Sequence, residues 1–164
     1  MLNKYLEQLN KIIATCQIHQ KRLDFAYSKI KNLFPITESG YYSLKDEEMA
    51  YIDQYIFRFA KYQDLIGSKL FKQILITEGE DVENMSFRDI FNKAEKIGIA
   101  EDWEQWFELR QIRNEISHDY PVLSEEAVNS LNRIISSLPY LENAHTKCLR
   151  YISSRSLNEG NPPT

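Results

Sequence analysis

Apolar positions recur at alternating three- and four-residue steps along the whole first segment: Leu2, Tyr5, Leu9, Ile12, Cys16, His19, Leu23, Ala26, Ile30 and Leu33. A seam of this period keeps one side of a helix against its neighbours for its full length. The chain must therefore fold around a long helix packed nearly parallel or antiparallel to others. Pro35 stops the seam, since proline has no N–H to continue a helical ladder. His19 interrupts it and reads as a bundle histidine, satisfied or at an exposed edge.

Few breakers follow. The chain has only 5 Gly and 5 Pro, which favours few, long elements over many short strands. Thr37, Ser39 and Gly40 mark residues 36–44 as a turn, and a second long helix is expected to begin between Leu44 and Asp46. Its apolar stripe is Met49, Ile52, Ile56, Phe59, Ile66, Leu70 and Ile74. Gln63 and Gly67 fall on that stripe; the glutamine needs a buried or cleft partner, and the glycine allows close approach of another helix. The acidic run Glu78 to Asp81 ends the element. Ser86 and Asp89 form a capping-box pattern that opens a short helix, which Gly98 closes. A fourth helix runs from about Glu101 through Trp103, Trp106, Phe107, Leu109, Ile112 and Ile116, and Pro121 requires it to end between Ser117 and Tyr120. Ser124 caps a last long helix with Leu131, Ile134, Leu138, Leu141, His145, Cys148 and Ile152 in register. Pro139 lies off that seam and predicts a kink in it. The expected fold is all-α: an up-and-down bundle of four main helices plus one short one, with a single domain over residues 1–154 and a disordered tail over 155–164.

At 164 residues, with 43% hydrophobic and 27% charged residues, the chain can bury one proper core. A net charge of -4 argues against a protein that coats nucleic acid with a generally basic surface, but leaves room for a local basic cleft. Cys16 and Cys148 show neither metal-ligand spacing nor a disulfide framework and read as reduced, buried thiols. No P-loop, zinc-ligand spacing or Gly-rich fingerprint is present, so no cofactor and no metal is expected. The N-terminus lacks a signal-peptide core and no apolar run reaches membrane-span length; a soluble, cytoplasmic protein is expected.

Residues 113–120 read Arg-Asn-Glu-Ile-Ser-His-Asp-Tyr, and this octapeptide is where chemistry concentrates. Asn114 and His118 are four apart and share a helix face, as do Arg110 and Asn114. Arg113 and His118 are five apart, splayed by about 140° on an ideal helix. They converge only through the long arginine side chain or through loosening of the last turn. The set suits RNA cleavage without a metal. The ribose 2′-hydroxyl attacks the neighbouring phosphorus, histidine moves protons near neutrality, and arginine stabilises the added charge. Asn114 orients the histidine or the phosphate. One motif histidine per chain is awkward for a reaction that benefits from a base and an acid, and a symmetric homodimer supplies both. Because helix ends commonly carry such residues as caps, a purely structural reading stands beside this one. Arg113 and His118, polar and near a helix end, are expected to tolerate truncation to alanine without loss of fold.

Arg113, Asn114, His118 and Tyr120 match without a gap a motif of arginine, a polar residue, histidine and tyrosine. Through them the chain resembles the HEPN-domain family, in particular the HepT-like partners of minimal nucleotidyltransferases (MNT) in prokaryotic toxin–antitoxin pairs. The resemblance implies a HEPN-like bundle, homodimerisation with two motifs facing a shared cleft, and metal-independent endoribonuclease activity. It also implies neutralisation by a separately encoded MNT-type nucleotidyltransferase antitoxin, in some pairs through AMP transfer to the motif tyrosine, here Tyr120. Other relatives are non-catalytic, substrate-binding subunits of that nucleotidyltransferase, and this is the alternative reading. The chain is not itself the nucleotidyltransferase: Gly67-Ser68 sits inside a helical stripe and no Asp-x-Asp pair follows it. Arg110, Arg58 and Tyr62 are candidate substrate contacts. Tyr51, Tyr55, Arg58 and Tyr62 form a stripe beside Lys61 and Lys69, which is either a base-stacking surface or, the favoured reading, the semi-polar edge of a helix interface.

Overall fold

The computed structural model describes residues 2–119 and 124–159. The expected all-α bundle is present, and among the described residues there is no strand. Helix α1 is Leu2–Ile30, followed by a 3-10 turn at Lys31–Leu33. The seam forecast for it is the buried face: Leu9, Ile12, Cys16, Leu23, Ala26 and Ile30 are all 6% exposed or less. Helices α2 (Glu38–Tyr42), α3 (Asp46–Leu65), α4 (Phe71–Thr77), α5 (Phe87–Lys96), α6 (Trp103–Asp119), α7 (Glu125–Ser136) and α8 (Leu138–Glu159) complete the chain.

Packing divides these helices into two compact units. The first comprises Met1–Cys16, Asp64–Glu101 and Tyr140–Thr164; the second comprises Gln17–Gln63 and Asp102–Pro139. In the first unit, Phe71 and Phe91 meet edge to face, their centroids 6.0 Å apart. Gln73 Nε2 donates to the Tyr5 carbonyl at 3.0 Å, joining α4 to α1. Short helix α5 is opened by the forecast capping box, in which Ser86 Oγ accepts from Asp89 N and the Asp89 carboxylate accepts from Ser86 N. Gly98, at φ +79, closes it in the left-handed region where glycine is unstrained. In the second unit, α1 and α3 run antiparallel, since Phe25 meets Tyr51 and His19 meets Arg58. Asp102 precedes α6 at φ 56 and accepts from Gln105 N, an N-cap. Ser124 caps α7 through Ala127 N, as expected.

Four expectations are corrected. Residues 36–44 are not simply a turn: Thr37 Oγ1 accepts from Gly40 N and caps the short α2. The second long helix is not uniformly α-helical, because Ile66–Leu70 takes a π-turn between α3 and α4. The last helix is broken and not kinked, with Ser137 in a turn between α7 and α8. Pro139 has no N–H for the Ile135 carbonyl, so the ladder cannot continue through it. The buried Tyr55 hydroxyl lies 3.3 Å from the Ile134 carbonyl and 3.4 Å from that of Ile135 and donates to this interrupted stretch. Finally, α8 continues to Glu159, five residues into the stretch expected to be tail, and Arg155 pairs with Glu78.

No helix among the described residues is long and apolar enough to cross a membrane.

Candidate functional site

Helix α6 carries the motif in the second unit. Its buried face is set by Trp106, Leu109 and Ile116, at 2%, 0% and 6% exposure. These positions are three and seven apart, and Arg113 falls between them on the same face, four beyond Leu109 and three before Ile116. Arg113 is accordingly 5% exposed. An arginine keeps its charge in any protein environment and donates through every nitrogen, so burying it demands acceptors. Gln63 of α3, 1% exposed, provides one: Arg113 Nε donates to Gln63 Oε1 at 2.8 Å. The other end of the same amide is also engaged, as Gln63 Nε2 donates to the Trp106 carbonyl at 2.9 Å. Gln63 thus ties the arginine to its own helix two turns back. The glutamine that stood unexplained on an apolar stripe has its partners.

This fixes what the motif arginine can do. Its Nε is occupied and its stem is packed among α6 core residues, so it is held in one place. The rest of the motif follows on the same helix. Asn114 and Arg110 are exposed and, four apart, share a face. The backbone is helical through His118 and Asp119, inside the range expected for the end of α6. The final turn therefore does not loosen before the histidine, and His118 stands at the i+4 register from Asn114. Described side chains of α6 end at Ile116, and Tyr120 with Pro121 lies outside the described residues.

The remaining candidates separate. Tyr62 is fully buried, and so is Tyr55; neither ring has a surface from which to stack on a base, which corrects the substrate-contact expectation for Tyr62 and agrees with the packing reading of that stripe. Arg58 is half-buried and turned to α1, its Nη1 3.1 Å from His19 Nδ1. Arginine has no acceptor, so His19 Nδ1 is the accepting nitrogen and the ring's proton sits on Nε2. Burial, then the charges of Arg58, Lys61 and Arg22, hold His19 below its ordinary value, in keeping with a neutral ring. Among the described residues no group of His, Cys, Asp and Glu comes together as a metal site.

Residues 2–148 match the family described as "Nucleotidyltransferase substrate binding protein like". The chain belongs to that family. Its members are HEPN-fold substrate-binding proteins associated with nucleotidyltransferases, and that association implies a nucleotidyltransferase partner. The expected HEPN resemblance is consistent with this membership. No curated protein and no solved structure gives a match.

Proposed function

We propose that this chain is the RNA-cleaving member of a nucleotidyltransferase pair, a metal-independent endoribonuclease toxin that its partner neutralises. The observation that carries the reading is the buried Arg113, bonded to a Gln63 that is itself anchored on the Trp106 carbonyl, five residues before His118. Burying a permanent charge is unfavourable unless the site gains something from a fixed cation, and a fixed cation is what a developing phosphorane charge needs. In the proposed step the ribose 2′-oxygen bonds to phosphorus and the bond to the 5′-oxygen breaks. A base takes the 2′-hydroxyl proton, an acid returns one to the leaving oxygen, and the products are a 2′,3′-cyclic phosphate and a 5′-hydroxyl. His118 of two chains in a homodimer supplies the base and the acid. The partner stops the reaction by transferring AMP from ATP to the Tyr120 hydroxyl with release of pyrophosphate, placing a bulky anion beside the motif.

A second reading has an observation in its favour. The Nε of Arg113 is already bonded and the side chain is almost wholly buried, as for an arginine that only holds α6 to α3. On that reading the chain is a non-catalytic, substrate-binding subunit of the nucleotidyltransferase. Cleavage of a ribo-oligonucleotide in chelator by wild type and His118→Ala, with analysis of product ends, decides between the two. Cyclic phosphate ends from wild type and none from the variant support the ribonuclease; no cleavage by a folded wild-type protein leaves the binding subunit.

A further inference from the structure

Two exposed phenylalanines in the second unit lie on neighbouring antiparallel helices, Phe25 on α1 at 50% exposure and Phe57 on α3 at 53%. The Phe25 ring meets Tyr51 edge to face and stays half exposed. Lys29 Nζ stands 5.4 Å from the centre of the Phe25 ring, while Arg58 and Lys61 stand 5.3 and 5.6 Å from that of Phe57. The charges of Arg58, Lys61 and Arg22 all act on His19, which Arg58 contacts across the two helices. Residues 17–30 and 50–63 carry five Lys and Arg against two acidic residues, Asp24 and Asp53, a local balance of +3 in a chain of net charge -4. The Arg58 Nε is buried with no hydrogen-bond partner. The excess of positive charge belongs to these two helix segments and not to the protein as a whole.

Aromatic rings flanked by cations are what a single strand of nucleic acid requires, since bases stack on the rings and phosphates meet the cations. A second copy of the same face is a poor occupant, because a two-fold contact would set this positive charge against itself. The span fits as well. Six residues separate His19 from Phe25 on α1, about 9 Å of helix at about 1.5 Å per residue, enough for a short run of nucleotides. We infer that the α1–α3 face of the second unit binds single-stranded RNA, with Phe25 and Phe57 as stacking platforms and Arg22, Lys29, Arg58 and Lys61 as phosphate contacts. The inference rests on the RNA reading above and assigns that reading a substrate surface. The surface lies beside the expected tyrosine stripe and not on it: Tyr55 and Tyr62 point into the core, and the adjacent positions Phe57 and Lys61 point out.

The test uses the full chain carrying His118→Ala, so that RNA stays intact, and follows fluorescence anisotropy of a labelled single-stranded oligoribonucleotide against salt. Phe57→Ala is expected to weaken binding about 10-fold. Lys61→Ala is expected to reduce the slope of log affinity against log salt by about 0.7, one phosphate contact on a single strand. Both side chains are exposed, and circular dichroism checks that both variants fold. Binding unchanged in both overturns the inference, and if wild type still cleaves RNA, the ribonuclease reading stands without it. Binding that fails in both variants while wild type cleaves nothing keeps the surface and removes the nuclease. No RNA binding by the parent protein at low salt overturns the surface. Unchanged RNA binding with loss of the co-purifying nucleotidyltransferase reassigns the face to that protein and overturns the RNA inference.

Discussion

The two units bury ionisable groups of opposite kinds. The first encloses Cys16, Cys148 and His145, each of which can shed its charge. Burial pushes the Cys16 thiol up to about 12 and Cys148 higher still, and holds His145 below its ordinary value. All three are native as neutral groups and pack as such. The second unit encloses Arg113, which has no neutral form to adopt and is instead bonded to Gln63. A buried group that can neutralise says little about function. One that cannot, and is supported by a dedicated polar partner, marks the unit in which position matters.

The largest effect is expected from the apolar side of this comparison. Phe71 is fully buried against Phe91, and Phe71→Ala is expected to cost about 4 kcal/mol in chemical denaturation, through lost burial and the cavity left behind. A loss under about 1 kcal/mol would mean that the first unit is loosely packed and that the contrast is overdrawn.

Arg113→Ala comes next, at about 3 kcal/mol, because Gln63 Oε1 loses its donor and the stem leaves a void. This revises the expectation that a helix-end arginine could be truncated without loss of fold: 5% exposure makes the change a core change. The informative variant is the double replacement Gln63→Leu with Arg113→Met. Replacing both members of a buried polar pair by apolar groups is often neutral, so stability should return to within about 1 kcal/mol of wild type, while the RNA cleavage proposed above should be lost. Recovery of stability together with full activity would assign the pair a structural role alone.

The arginine's burial is legible in the sequence. Trp106, Leu109, Arg113 and Ile116 follow the three- and four-residue steps of a buried face, and Gln63 already stood on the apolar stripe of another helix. The spacing within each helix marks the glutamine as needing a partner but does not name it, because the pairing depends on how α3 and α6 are juxtaposed. Local signals served better: the α1 seam, the Ser86–Asp89 box and the Ser124 cap are all set within a few residues of chain. The π-turn at Ile66–Leu70 and the break at Ser137 were not legible in the same way. The four-residue steps from Ile66 to Leu70 and Ile74 fit an α-helix as well as a π-turn, and at Ser137 a tertiary donor, Tyr55, makes the interruption tolerable.

Acid should test both units at once, through their histidines. His145 is held below its ordinary value by burial, and His19 by burial and then by Arg58, Lys61 and Arg22. The unfolded chain takes up protons as pH falls past the ordinary value of 6.5, while the folded chain does not. The stabilising contribution is therefore complete above that value and is lost as pH falls toward the folded-state values. Urea midpoints are expected to be lower at pH 5.5 than at pH 7.5, above the range in which most carboxylates titrate. His19→Gln should remove only part of the difference, leaving the share that belongs to His145 in the first unit. A midpoint that rises on acidification would show that one of these rings is protonated in the folded protein.

The smallest effects come from the serine caps, Ser86 in the first unit and Ser124 in the second. Ser124 Oγ accepts from Ala127 N at 3.1 Å and satisfies one N–H at the start of α7. Ser86 does the same for Asp89 N at the start of α5, and there the bond is reciprocated: the Asp89 carboxylate lies 3.3 Å from Ser86 N and 2.6 Å from Ser86 Oγ. Loss of a serine cap typically costs about 1 kcal/mol. Ser86→Ala removes the cap and a hydroxyl that orients Asp89, so it should exceed Ser124→Ala by a few tenths of a kcal/mol. The difference is resolvable by denaturation in paired measurements of the two variants. Equal losses would mean that Asp89 holds the Ser86 N–H unaided, and a larger loss for Ser124→Ala would show that the start of α7 carries more of the second unit's stability than its single cap bond accounts for.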